Sequence, residues 1–343
     1  MKLINQSVTL VTEKNPLKAI ELAGRVSHKS EDKITDDSYK KFLIDMLGYG
    51  HTATLEFGDV YIYVEHPTDF LEYYNTYRLI ISDNPAIHVV ASKSYWIYTN
   101  LRFLLDRCPE LFIDYISNKM EYAIEFEPMD SDPYKRYCFN IITNVGVGKE
   151  LCRHRVLSPI QESTRYVNYS ATKGKNDFVY IRPNWFNKEL IGEWIMNPLS
   201  EGFPVEVPFK DGVQYGTDVF TDNLSELEKD YIDEMFHAEE VYEYFITSGL
   251  IAQKARGKLE HDVKTELYMT GFLKDWIGHN REIFSIDLFG ETVDCKTIKG
   301  FDTLRRDASA HPQAREIAEL VHDIIIPIIG EESFNTIKET YYE

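Results

Sequence analysis

The chain has 343 residues, 43% of them hydrophobic and 13% aromatic, enough apolar material to bury a large core and too much for a disordered chain. Lys and Arg number 37 against 56 Asp and Glu, a formal charge of −19. The acidic residues are spread along the whole chain, so its surface repels nucleic acid and anionic lipid, and neither is expected as a partner.

Met1 to Lys14 mixes polar and apolar residues unlike a signal peptide, and no apolar run reaches membrane-spanning length, so a soluble cytoplasmic protein is expected. Asn15 to Gly24 predicts a short helix, capped by Asn15, started by Pro16 and apolar along Leu17, Ile20 and Leu22. A second helix is predicted over Asp36 to Leu47, with Phe42, Leu43, Met46 and Leu47 grouped and Gly48 and Gly50 stopping it. Asp59 to Val64 alternates β-formers and predicts a strand that ends before Pro67.

From Thr68 to about Asp132 the pattern is irregular. It includes helices predicted at Thr99 to Leu105 and Pro109 to Tyr122 and an acidic loop from Glu125 to Asp132. Tyr134 to Thr143 predicts a strand, after which Gly146 and Gly148 lead into an arginine-rich stretch. Asp222 to Ser248 has a long amphipathic period through Leu227, Tyr231, Phe236, Val241 and Phe245, and Gly249 ends that helix. Thr265 to Thr270 predicts a strand and Pro312 to Ile325 a helix. Strands and helices alternate without a βαβ rhythm, so the expected class is α+β, in a single elaborated domain over residues 1–343.

The four cysteines, Cys108, Cys138, Cys152 and Cys295, form no CxxC pair, so reduced thiols are expected and no metal site. His237 with Glu239 and Glu240 lacks metal-ligand spacing and reads as a solvated helix face. The arginine-rich stretch is different. Arg153, His154 and Arg155 are consecutive, Arg165 follows twelve residues after Arg153, and Gln161, Glu162, Ser163 and Thr164 lie between. Guanidinium forks suit a phosphate or the paired acceptors of a uracil ring, and Ser163 and Thr164 add hydroxyls and amides. The residues leave two readings open: an anion site for a nucleotide, or arginines paired with the chain's many carboxylates.

The whole stretch Arg153 to Ser170, RHRVLSPIQESTRYVNYS, resembles the signature of the flavin-dependent thymidylate synthases in its larger bacterial and phage form. That signature is an RHR, a serine three residues on and an S-x-R, here Arg153-His154-Arg155, Ser158 and Ser163-Thr164-Arg165. Gly24-Arg25-Val26-Ser27 resembles the family's AARVS element, and the run Gly50 to Glu56 its GHxxxxE. Ala255-Arg256 resembles the A-R element, and Leu304-Arg305 with Ala310-His311-Pro312-Gln313 resembles LR…AHPQ.

The resemblance implies a mostly antiparallel central sheet packed with helices, and reductive methylation of dUMP to dTMP. FAD would be the cofactor, with NADPH and methylenetetrahydrofolate as co-substrates, in a homotetramer whose sites are shared between subunits. It implies catalytic roles for Arg256, Arg305, His51 and Glu56. Contacts to dUMP fall to Glu150, Arg153, Gln161, Ser163, Thr164, Arg165, Arg256 and Arg305. Contacts to FAD fall to Ser27, His51, Glu56, Arg153, His154, Arg155, Lys274 and His311.

Departures are also legible. Lys149 stands where many members have histidine, Ala53 replaces a hydroxyl residue, and Phe272 and Lys274 stand where the family often has Asn and Arg. Residues 68–132 and 280–300 exceed the compact members and read as insertions, and the second leaves Arg305 and Arg306 as alternatives for the LR position. The changes at Phe272 and Lys274 make a non-catalytic flavin- or nucleotide-binding homologue the alternative function. Ser163 has no base beside it, so a substrate contact is expected rather than a nucleophile. Tyr166 and Tyr169 read as core or wall residues.

Overall fold

The computed structural model describes residues 2–74, 94–170, 178–186, 192–196, 204–207 and 224–340. Strands β1 (Lys2–Ile4) and β2 (Ser7–Leu10) come first, both too short for a sequence period to register. Helix α1 (Pro16–Val26) starts as expected, with the Asn15 side chain accepting from the N–H groups of Leu17 and Lys18. Helix α2 (Ser38–Gly48), β3 (Asp59–Val64) and α3 (Pro67–Tyr74) follow, then β4 (Tyr95–Asn100), α4 (Leu101–Arg107), α5 (Pro109–Ile116) and β5 (Ile124–Glu125).

Three boundaries here differ from the sequence reading, each for a local reason. Asn100 is the cap of α4, accepting from the Phe103 N–H at 2.9 Å, so Thr99 closes a strand instead of opening a helix. Helix α5 ends well before Tyr122 because Asn118 turns left-handed, at φ 54°, and the Lys119 N–H closes on the Asp114 carbonyl at 2.8 Å. The start of the expected acidic loop is strand, since Ile124 and Glu125 pair with Tyr63 and Ile62.

The second half contains β6 (Arg136–Asn144), α6 (Val145–Leu151), β7 (Ser158–Gln161), β8 (Val179–Ile181), β9 (Gly192–Met196) and β10 (Pro204–Val207). Helix α7 (Glu226–Thr247) opens on a capping box between Ser225 and Glu228. Its expected first residues, 222–223, lie outside the described residues. Helix α8 (Ala252–Ala255), β11 (Lys264–Phe272) and α9 (Leu273–Ile277) lead to β12 (His279–Leu288) and β13 (Glu291–Lys299). The chain closes with α10 (Phe301–Arg305), α11 (Pro312–Ile329) and α12 (Glu331–Thr340). Residues 280–300, read above as an insertion, make a β-hairpin, turning at Phe289 and Gly290, both with positive φ.

The α+β class holds. Among the described residues the antiparallel sheet β2-β6-β11-β7 lies between two apolar cores, because alternate side chains of β11 point to opposite faces. Tyr268 joins the core formed by α1, β3 and α4, while Leu267 and Met269 join the one beneath α9 and α11. A third core gathers Leu3 and Tyr180 under the α7 residues Ile232, Phe236 and Tyr242. The segment 68–132 supplies β4 and β5, which flank β3 in the sheet β4-β3-β5, and residues 75–93 of it lie outside the described residues.

Candidate active site

The arginine motif is a turn hung from α6. Asn144 caps that helix, accepting from the Val147 N–H at 2.7 Å, and Gly148 lets it sit so close to the sheet that a Cβ would come within 2.7 Å of Gln161 Nε2. After α6 the N–H groups of Arg153 and His154 donate to the carbonyls of Glu150 and Leu151, at 3.1 Å each. This tight turn sends alternate side chains in opposite directions: Arg153 and Arg155 are exposed, and His154 between them is buried.

Arg305 reaches His154 from α10. Its Nε donates to His154 Nε2 at 2.8 Å, and its two terminal nitrogens donate to the Glu150 carboxylate at 3.0 Å and the Glu150 carbonyl at 2.9 Å. A ring nitrogen that accepts from a guanidinium carries no proton, so His154 is the neutral Nδ1–H tautomer. Burial, and then the Arg305 charge, push its pKa down to about 4. Arg306 turns away to Asp302 and His322. Arg305 is therefore the arginine that faces the RHR turn, and it is engaged there with Glu150.

The second grouping joins elements distant in sequence. β7 pairs with β11 and ends where the Glu162 N–H donates to the Glu266 carbonyl at 2.7 Å. The next amide, of Ser163, donates to the Ser27 carbonyl at 3.2 Å, bringing the AARVS-like element against the S-x-R turn. Ser163 Oγ accepts from the Arg165 N–H at 3.3 Å, and Thr164 is half-buried in the same turn. Ser27 Oγ lies 2.8 Å from His28 Nδ1, and the His28 ring stacks on Tyr166 at 4.4 Å. Burial, followed by His51 and Lys33, lowers the His28 pKa, which places His51 in the same neighbourhood. The Arg165 guanidinium lies over the Tyr166 ring at 5.4 Å. Gln161 faces inward, donating to Thr265 Oγ1 at 3.1 Å.

Under this junction lies a ring of four charges that sequence reasoning missed. Lys29 is 2.8 Å from Glu266 and 3.3 Å from Glu162, and Lys264 is 3.0 Å from Glu162 and 3.3 Å from Glu266. Tyr169 donates to Glu162 at 2.7 Å and Asn140 to Glu266 at 2.9 Å, satisfying the remaining acceptors. Burial alone would lower the Lys29 pKa, but Glu162 and Glu266 hold it above the usual lysine value. Burial would likewise raise Glu266, yet its hydrogen bond and charge contact with Lys29 push it down to about 2. Lys264 is lowered by burial and by Lys29. Lys29 takes a left-handed φ of 49°, a conformation the ion pairs hold in place. Lys29 and Glu162 flank motif residues, but only their partners 102 to 237 positions away reveal the ring.

Beside Arg165 and Tyr166 a cavity of about 390 Å³ opens against the α7–α8 loop, Gly249 to Ala252. Arg256 is exposed at the C-terminal end of α8, the helix that Ala252 begins. No carboxylate among the described residues forms an ion pair with Arg153, Arg155, Arg165 or Arg256. In a chain of charge −19, these four exposed guanidiniums have no acid partner among the described residues, which leaves each open to an anion.

The remaining expected residues fall elsewhere. The Glu56 carbonyl accepts from Arg136 at 3.0 Å, and Arg136 also pairs with Asp59 at 2.6 Å and lies over Phe272. Lys274 sits 4.6 Å above the Tyr134 ring, its pKa lowered by burial. His311 caps α11 near Asp262, at the opposite end of α6 from the arginines, about 10 Å of helix away. Its neighbour Gln313 is buried, bonded to Asn144, Gln6 and Arg182. A second cavity of about 420 Å³, bounded by Asp59, Tyr61, Arg136 and Cys138, includes none of the expected site residues.

No curated protein matches this chain. Two solved structures of a UMP/dUMP methylase, PolB from Streptomyces cacaoi, resemble it, one bound with 5-Br UMP and one with 5-Br dUMP. They are 13% and 15% identical over 98% of this chain and 97% of theirs, with TM-scores of 0.39 and 0.37. At such scores the backbones do not superpose closely enough to carry positions across. The family comparison does bear on particular residues: residues 134–279 match the family described as thymidylate synthase complementing protein. That span holds the RHR turn, the Ser163 turn, Arg256 and Lys274, and it is over these residues that the chain is similar to that family.

Proposed function

We propose that this protein methylates dUMP to dTMP as a flavin-dependent thymidylate synthase, taking the carbon from methylenetetrahydrofolate and reducing equivalents from NADPH. The observation that carries the reading is that Arg153, Arg155, Arg165 and Arg256, inside or beside motifs of the matched family, are exposed and have no acid partner among the described residues. Arg165 and the Ser163 turn, stiffened by the His28–Tyr166 stack and the ion ring below, would bind the nucleotide's phosphate and ring. Arg256 would hold negative charge developing on the uracil carbonyl. Ser163 would contribute a hydrogen bond without forming a covalent bond.

The donor set also fits FAD: Arg153 and Arg155 project into solvent from a rigid turn, the chemistry a diphosphate requires. Ser27, His51 and Glu56 would complete its contacts, with Lys274 and His311 more distant members. When bound, FAD supplies the hydride transfer, and the protein's part is to orient dUMP and exclude water. A homotetramer belongs to the reading. Tyr166 and Ile251, 54% and 61% exposed, line one cavity, and another copy would cover them. No described helix is long and apolar enough to cross a membrane, consistent with a cytoplasmic enzyme.

The test is NADPH oxidation by the flavin-loaded protein with and without dUMP and methylenetetrahydrofolate, with dTMP as the product followed. FAD uptake without dUMP-dependent turnover would make the protein a binding homologue. Failure to take up FAD in equilibrium dialysis would defeat the functional reading as a whole.

A further inference from the structure

Outside the candidate site, the cavity of about 420 Å³ has the volume of a small-molecule site. It forms where the end of β2 and the start of β6 meet the segment 68–132, which supplies Tyr115, Glu125, Phe126, Glu127 and Asp130 to its lining. Its most buried charges are Asp59 and Arg136. Arg136 Nε donates to Asp59 Oδ1 at 2.6 Å, and a terminal nitrogen donates to the Glu56 carbonyl at 3.0 Å. Asp59 Oδ2 accepts no hydrogen bond among the described residues. Burial raises the Asp59 pKa, yet 27% of its side chain is accessible. A carboxylate shut in by protein and still accessible turns its open oxygen to the cavity, where it favours a donor.

The lining carries five carboxylates against three cations. Asp59 holds Arg136, and Lys135 is held by Glu127 at 3.1 Å and Asp130 at 2.9 Å. Lys14 lies 3.8 Å from the same Glu127. Glu13 and Glu125, both exposed, have no ion-pair partner among the described residues, so the lining keeps an excess of negative charge. Phosphates are repelled from such a cavity, which sets it apart from the sites of dUMP, FAD and NADPH. The uncharged walls are apolar and aromatic. Leu10, Val11 and Ile328 supply aliphatic surface, and the rings of Tyr61 and Phe126 lie 6.0 Å apart. Aromatic faces carry negative charge density and attract cations.

We propose that this cavity binds a planar organic cation, an aromatic ring bearing an amidinium or protonated amine, whose N–H groups meet Asp59 Oδ2 while its ring packs among Tyr61, Tyr115 and Phe126. Charge, shape and the open acceptor agree on that class. An inorganic cation leaves the apolar walls unused, and a neutral aromatic leaves the excess negative charge without a counter-charge. Arg136 stays paired through Oδ1, so the ligand adds a contact to Asp59 without breaking the ion pair. None of the residues assigned to dUMP or FAD lines the cavity, and the proposal stands apart from that reading.

The test titrates the full-length protein, carbon-13 labelled at its Leu, Val and Ile methyl groups, with benzamidine, a single ring carrying an amidinium. The expected result is a saturable shift of the Leu10, Val11 and Ile328 methyl signals. Benzoate, the same ring with the opposite charge, should leave them in place, as should neutral benzamide. Ala19, which lines the cavity from α1, has room to grow into it, so Ala19→Trp should weaken benzamidine binding about tenfold or more. Glu13→Lys with Glu125→Lys, which reverses the charge excess at exposed positions, should do the same. Asp59→Asn also strips Arg136 of its counter-charge, so the decision rests on these two variants, which leave that ion pair intact. The absence of saturable shifts in the wild type would overturn the proposal. So would benzoate or benzamide binding as tightly as benzamidine, or an affinity unchanged in either variant.

Discussion

Replacing His154 with glutamine retains an acceptor for Arg305 and removes the proton-binding ring. In the folded protein the ring is 6% exposed and lies against Arg305. Its pKa is pushed down from the ordinary 6.5 to about 4, whereas in the unfolded chain it takes up a proton near its ordinary value. Between those values the unfolded state holds a proton that the folded state refuses, so stability falls as the pH drops through the window. At about 1.4 kcal/mol per pH unit, the gap amounts to about 3 kcal/mol, fully lost below about pH 4. That is a sizeable share of the ~5–15 kcal/mol of an ordinary domain. Urea unfolding from pH 7 to pH 4 should show the wild type losing about 3 kcal/mol more than His154→Gln. Nitrogen-15 NMR at pH 7 should find Nε2 unprotonated. Parallel stability curves, or a His154 ring titrating near 6.5 in the folded protein, would refute the buried, arginine-facing histidine.

Three further perturbations test the rest of the site. Glu162→Gln leaves Lys29 and Lys264 with Glu266 as their shared carboxylate, and unfolding free energy should fall by about 3–5 kcal/mol. A loss under about 1 kcal/mol in urea titrations would show that the ring does not hold the junction. Arg165→Ala should weaken dUMP binding roughly tenfold or more by calorimetry while FAD affinity stays near wild type. Equal loss of both ligands would show that Arg165 does not discriminate between them. Arg305→Ala releases Glu150 and His154 and should lower turnover, while Arg306→Ala, which loses Asp302 and His322, should cost on the order of 1 kcal/mol of stability and little turnover. The reverse pattern would place the wrong arginine at the RHR turn.

Local chemistry was enough to place several elements from the sequence: Asn15 and Pro16 start α1, alternation in Asp59 to Val64 makes β3, and the long period after Ser225 makes α7. The RHR and S-x-R motifs were legible for the same reason, because their residues are close neighbours along the chain. Short strands such as β1 and β7 were not, since three or four residues carry no period and sheet partners decide them. Nor could sequence choose between Arg305 and Arg306, because the neck of the β12–β13 hairpin and the helix α10 after it set which side chain meets Glu150. The deepest gap was the ring of Lys29, Glu162, Lys264 and Glu266. Each of these charged residues reads as solvated surface on its own. Strand pairing between β7 and β11, and the left-handed turn at Lys29, gather them into one buried cluster whose charges balance. Tertiary structure decided it because buried charge is tolerable only beside its counter-charge, and those counter-charges lie in strands that meet only in the fold.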